Sequence, residues 1–204
     1  SKEKWGELVG MGIKIGKVKG YFDVSDCGLD SSEGFPTEVT GDFNINFNKF
    51  TNLVGCPVKV GGRYQCNNNR LTSLEGAPEL SDNFDCSNNS NLKNLKGGPK
   101  EVTSNYNASG CGLDSLEGFP TTISPSISIY VDSNNLYTLE GIPLSPAISP
   151  YRIRCNKNPL KSSVLTNAYK EAARTGSWTV GYLSMFTDPE FIKTGKAPKD
   201  PIRE

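Results

Sequence analysis

Two landmarks recur along this chain with one shared period, and a 21-residue period leaves few folds open. The first is an apolar residue closing a polar stretch: Leu29, Phe50, Leu71, Leu92, Leu113, Leu136 and Leu160, at steps of 21, 21, 21, 21, 23 and 24. The second is Gly-x-Pro, at Gly34/Pro36, Gly55/Pro57, Gly76/Pro78, Gly97/Pro99, Gly118/Pro120 and Gly141/Pro143, at steps of 21, 21, 21, 21 and 23. A unit this short cannot bury an apolar face alone, but stacked copies bury a continuous core. The pattern therefore predicts a solenoid of seven units over residues 18–160.

Within a unit the residues alternate, as in Tyr64-Gln65-Cys66, which is a strand with one buried face. The inward pairs read Phe22/Val24, Phe43/Ile45, Tyr64/Cys66, Phe84/Cys86, Tyr106/Ala108, Ile129/Val131 and Ile153/Cys155. After each strand comes Asn or Cys: Cys27, Asn48, Asn69, Cys111, Asn134 and Asn158, with Asn89 fitting if one residue is inserted before Leu92. An Asn there can satisfy buried backbone groups of two units, and Cys is a small weak donor. About ten residues remain for the return path, too few for a helix with two turns. An extended or 3₁₀ back and a gently curved array are expected.

At these residues the chain resembles leucine-rich repeat proteins, whose units read L-x-x-L-x-L-x-x-N/C-x-L. The Leu-Glu-Gly-x-Pro endings at Leu74, Leu116 and Leu139 are similar to the short variant common in bacterial and tailed-phage proteins. The chain departs from that pattern where the first inward residue is aromatic and where Ser32 occupies a Leu position. The resemblance implies a leucine-rich repeat array with a parallel β-sheet on one face, little helix on the convex side, and use as an interaction surface.

Solenoid ends need covers. Residues 1–17, with Trp5, Leu8, Val9, Met11, Ile13 and Ile15, read as an N-terminal cap. Ser163 can N-cap a helix carrying Val164, Leu165, Ala168, Tyr169, Ala172 and Ala173 on one face, so residues 161–195 read as a C-terminal helical cap and 196–204 as a flexible tail. Trp178, Val180, Tyr182, Met185 and Phe186 extend that cap or dock a partner.

The chemistry-bearing content is thin. Among 204 residues there is no His, the commonest general base and metal ligand. Gly10-Met11-Gly12-Ile13-Lys14-Ile15-Gly16-Lys17 fits neither phosphate-loop spacing, and Asp23, Asp26 and Asp30 lack the carboxylate density of a calcium loop. Glu33, Glu75, Glu117 and Glu140 recur only because the unit recurs. The six Cys fall at packing positions rather than in metal-ligand pairs, which points to free thiols and a reducing, cytoplasmic setting. No apolar run is long enough for a membrane span and no signal core opens the chain, so a soluble, unexported protein is expected. Neither an enzyme nor a cofactor is expected.

What remains is the outward strand face. Its central residues are Asp23, Asn44, Gln65, Asp85, Asn107, Tyr130 and Arg154, with Arg152 beside them. Ser25, Asn46, Asn67, Ser87, Ser109, Asp132 and Asn156 flank them as further outward positions. The face runs from acidic to aromatic and basic, and residues 21–160 carry 10 basic against 15 acidic groups, which argues against a nucleic-acid groove. The expected function is a protein-binding solenoid, in its sharpest form a small bacterial or phage protein that blocks or redirects a host protein in the host cytoplasm. It would have a protein partner, no nucleic acid and no membrane, and be a monomer in preference to an assembly. The alternative is a structural component of a virion or other assembly.

Overall fold

The structure is a computed structural model that describes residues 2–142 and 153–160. The expected C-terminal helical cap, the tail, Pro143 and Arg152 lie outside the described residues. A helix, α1 (Lys2–Gly10), precedes β1 (Lys17–Val18), β2 (Phe22–Asp23), β3 (Glu38–Val39), β4 (Phe43–Asn44), β5 (Lys59–Val60) and β6 (Arg63–Gln65). Then follow β7 (Leu80–Asp85), β8 (Glu101–Asn107), β9 (Thr122–Ile123), β10 (Ser128–Tyr130) and β11 (Ile153–Arg154).

These strands stack into a parallel β-solenoid. The main sheet runs β2-β4-β6-β7-β8-β10-β11, every pair parallel and each strand beside its neighbour in the repeat. One register joins Phe22, Phe43, Tyr64, Phe84, Tyr106, Ile129 and Ile153. All seven side chains are buried, as are their partners two residues on except Val24, which is half-buried in the first coil. The aromatic five stack with centroid separations of 5.9, 4.9, 5.5 and 5.6 Å, so a ladder of rings forms the interior of coils one to five and isoleucines continue it.

The return path is extended, and it forms a second ladder. β1, β3 and β5 pair in parallel, and the same column continues through Leu80 paired with Glu101 and Glu101 paired with Thr122. Coils one to three turn the corner between ladders at Gly20, Gly41 and Gly61-Gly62, whereas β7 and β8 run through it as single strands with a bulge between Ser81 and Asn83. Asp82 holds that corner by accepting hydrogen bonds from the Thr103 (2.7 Å) and Ser104 hydroxyls, which keep its carboxyl below the usual carboxylate value.

The Gly-x-Pro landmark has a steric cause. Gly76 sits at φ +94°, and a Cβ there would collide with the Leu53 carbonyl of the coil before. Pro36, Pro57, Pro78, Pro99 and Pro120 that follow these glycines are buried.

The Asn slot fastens coil to coil. Asn69 Nδ2 donates to the carbonyls of Ile45 (2.9 Å) in the preceding coil and Cys66 (3.1 Å) in its own, while Oδ1 accepts the Phe50 N–H (3.1 Å). Asn48, Asn89, Asn134 and Asn158 repeat this arrangement, Asn89 included despite the extra residue that follows it. Cys111 keeps the donating half, from Sγ to the Cys86 carbonyl at 3.1 Å. Just before each slot the backbone is left-handed, at Asp26, Phe47, Asn68, Asn88, Ser133 and Lys157 with φ of 50 to 57°, and at Gly110 in the fifth coil.

The N-terminal cap is narrower than its apolar residues suggest. Trp5 packs edge-on against Phe22 (5.8 Å) and Phe35 (5.3 Å), and its Nε1 donates to the Glu33 carbonyl at 2.9 Å. Leu8, Met11 and Ile13 stay exposed, because a nine-residue helix reaches only the centre of the first coil.

Candidate functional site

The sheet register brings seven of the eight candidate residues into one column. Asp23 pairs with Asn44, Asn44 with Gln65, Gln65 with Asp85, Asp85 with Asn107, Asn107 with Tyr130 and Tyr130 with Arg154. Asp23 and Arg154 are exposed and the five between are half-buried. Arg152 lies outside the described residues. Side chains therefore stand at strand spacing, roughly 4.8 Å from coil to coil.

The flanking column differs from expectation. Asn46 and Ser87 are buried, at 7% and 6% exposure, because each is drawn into the turn that leads to the Asn slot. Asn46 Oδ1 accepts the Asn67 N–H at 2.9 Å, and Ser87 donates its N–H (3.0 Å) and hydroxyl (2.7 Å) to Asp85 Oδ1. They are structural groups rather than open surface.

The central column is likewise already engaged through its oxygens. Asp23 Oδ1 accepts the Ser25 N–H (2.8 Å), Asn44 Oδ1 the Asn46 N–H (3.0 Å), and Asn107 Oδ1 the Ser109 N–H (3.1 Å). These are Asx turns, in which a short carbonyl side chain bonds the backbone two residues on. Asn44 Nδ2 also donates to Asp23 Oδ2 at 3.0 Å. Partial burial would raise the Asp23 carboxyl, but the bonds from Ser25 and Asn44 hold it below the usual value. Gln65 is one methylene longer and makes no such turn.

The column changes at the sixth coil. Tyr130 and Arg154 are register partners, and the Arg154 guanidinium carbon lies 5.6 Å from the Tyr130 ring centroid. The Arg154 Nε is 3.7 Å from Asp132 Oδ2, and Asp132 Oδ1 accepts the Asn156 N–H at 2.9 Å. The guanidinium thus rests on a ring and beside a carboxylate, with most of its surface open.

The six cysteines are free thiols, five buried and Cys27 half-buried. Burial pushes Cys56 and Cys155 up to about 12 and Cys66 well above its ordinary value. Among the described residues no group of three or more Cys, Asp and Glu side chains is placed to hold a metal ion. No helix among them is long and apolar enough to cross a membrane.

No family model, curated protein or solved structure matches the chain. What is shown is the parallel β-solenoid itself.

Proposed function

We propose that this chain is a non-catalytic protein-binding solenoid of leucine-rich repeat type, with the Tyr130/Arg154 end of its outward strand column as the contact surface. The observation that carries this reading is the change along that column. In coils one, two, four and five the polar oxygens are tied into the chain's own turns, which makes that stretch rigid and leaves few acceptors for a partner. At coils six and seven an aromatic ring and an open guanidinium take over, the two side chains most often found as interface anchors. The absence of His and the strictly periodic acids support a binding rather than a catalytic role. The buried thiols suit a reducing compartment such as a cytoplasm. The short repeat variant favours a small bacterial or phage protein that occupies a host protein.

Affinity capture from candidate host lysates, followed by variants, tests the reading. Tyr130→Ala and Arg154→Glu should each weaken capture at least about ten-fold, equivalent to about 1.4 kcal/mol, with unchanged melting temperature. Capture that survives both removes this end of the column from consideration. Concentration-dependent growth of the pure protein into filaments or shells would instead support a structural part.

A further inference from the structure

The joint between the fourth and fifth coils is built differently from the other joints of the array. An Asn side chain clasps the turn on entry to coils two, three, four, six and seven, each donating to a carbonyl of the coil before. On entry to coil five the slot holds Cys111, whose Sγ lies 3.1 Å from the carbonyl oxygen of Cys86 in coil four. Cys86 is an inward residue one step past the register pair Asp85 and Asn107, so its thiol stands on the interior side of the same turn. The two thiols interact directly, and their contact is the largest influence on the acidity of both. Cys66, the neighbour of Cys86 in the interior column, instead gives its thiol to the Asp85 carbonyl at 3.3 Å.

The surroundings divide two chemical roles between the pair. The Cys111 sulfur meets the backbone N–H groups of Asn89 and Asn88, and these with the Cys86 thiol lower its acidity constant although it is buried. The same contact and burial hold the Cys86 thiol well above its ordinary value. Gly110 and Gly112 flank Cys111 at φ 67° and 75° and put no side chain over it, where coil three has Asn68 and Arg70. A small oxidant therefore has only a glycine turn to pass.

We infer that Cys86 and Cys111 are an oxidisable pair that hydrogen peroxide closes to a disulfide, clasping coil four to coil five where the Asn clasp is missing. The Cys111 thiolate attacks one peroxide oxygen: the S–O bond forms, the O–O bond breaks, and hydroxide leaves to join the proton that the thiol lost. Cys86 then releases its proton and its sulfur attacks the Cys111 sulfenic sulfur, so the S–S bond forms, the S–O bond breaks and a second water leaves. The thiols give up two electrons and the peroxide becomes two waters. The pair lies in coils four and five, away from Tyr130 and Arg154, and it stands or falls separately from the surface proposed above.

Peroxide treatment of the folded full chain, alkylation of the remaining thiols and tryptic mass spectrometry test it. Trypsin cuts after Arg70, Lys93 and Lys100, which puts Cys66, Cys86 and Cys111 on separate peptides. A link between the Cys86 and Cys111 peptides that dithiothreitol reverses is expected, with Cys56 and Cys66 still alkylated. The linked chain should melt about 5 °C or more above the reduced one, because the cross-link constrains the unfolded chain. Cys111→Ser should cut oxidation at Cys86 at least about ten-fold. Should that variant fail to fold, Cys86→Ala, which copies Ala108 of coil five, leaves the sulfenic acid unresolved, and dimedone should label Cys111. A link to Cys66 instead, no intramolecular link in the folded chain, an unchanged or lower melting temperature after linking, undiminished oxidation of Cys86 in Cys111→Ser, or no dimedone label in Cys86→Ala would each overturn the inference.

Discussion

The third and fifth coils put different residues into one structural slot. Asn69 makes four hydrogen bonds there, one accepted from the coil before and three donated to backbone carbonyls. Cys111 donates to the Cys86 carbonyl at 3.1 Å, makes a longer 3.8 Å contact to Ser109, and its sulfur faces the backbone N–H groups of Asn89 and Asn88. The reason lies in the neighbour rather than in the slot. The N–H groups of Leu29, Phe50, Leu71, Leu113 and Leu136 all reach forward to the Asn oxygen of the next coil. Leu92 alone turns its N–H back to the Asn89 carbonyl at 2.9 Å, because the extra residue in its coil closes a local turn. The following slot therefore lacks that donor, and its cysteine sulfur is met by the backbone N–H groups of Asn89 and Asn88 instead. Cys27, in the first coil, has no earlier coil reaching towards it and donates to the Ser25 carbonyl at 3.3 Å. Cysteine occupies the slot in the two coils that no Leu-type N–H of an earlier coil reaches.

The largest effect that bears on this contrast comes from truncation. Asn69→Ala strands several buried backbone groups and should cost about 3 kcal/mol or more in urea unfolding, whereas Cys111→Ala strands one carbonyl and should cost about 1 kcal/mol. Equal costs would break the comparison. Cys111→Asn is the sharper probe: its amide oxygen would meet the Asn89 N–H, as Asn48 Oδ1 meets the Cys27 N–H, but not the Leu92 N–H, so stability should stay within about 0.5 kcal/mol. Stabilisation would show that Leu92 can redirect its N–H and that the local turn follows from the cysteine.

A smaller effect is expected just before the slot. The second coil places Phe47 in the left-handed region at φ 56°, where the fifth coil has Gly110. Phe47→Asn should raise stability by about 1 kcal/mol, because asparagine tolerates that conformation. An unchanged melting curve would mean that the Phe47 side chain, 58% exposed, compensates through contacts of its own. The smallest effect concerns acid. The Asp82 carboxyl is lowered by the hydroxyls of Thr103 and Ser104, so its contribution is present above its unfolded value, near about 3.9, and is lost as pH falls through the folded one. Asp82→Asn should flatten the decline of melting temperature below about pH 4 and cost little at pH 7, where an exposed group contributes under about 0.5 kcal/mol. An unaltered acid limb would remove Asp82 from the fastening of β7 to β8.

The period, the inward pairs and the Asn slot were legible because each depends on a single side chain meeting its own copy 21 residues away. Phe43 beside Tyr64 beside Phe84 is such a column, and so is Asp23 beside Asn44 on the outside. Features that depend on the path between columns were not legible. Nothing in Asn46 or Ser87 distinguishes a buried turn group from a surface residue, since that is decided by Asn67 and Asp85 supplying the hydrogen bonds. The continuous strands of coils four and five follow from Asp82 and Thr103 replacing corner glycines, a substitution that reads from sequence only as a loss of pattern. Leu8 and Met11 read as cap core from polarity alone, but the reach of α1 leaves them outside.

The forward reach of each N–H towards the next asparagine also gives the molecule a direction in time. A coil that has just left the ribosome still has an open amide, and it is closed only when the following slot arrives about one period later. The first coil waits for Asn48, the second for Asn69 and the third for Asn89. The fourth closes this one amide itself through Leu92, while its Cys86, Asn88 and Leu95 N–H groups still wait for the fifth coil. Synthesis halted after the fourth coil should therefore leave one fewer open amide than synthesis halted after the third.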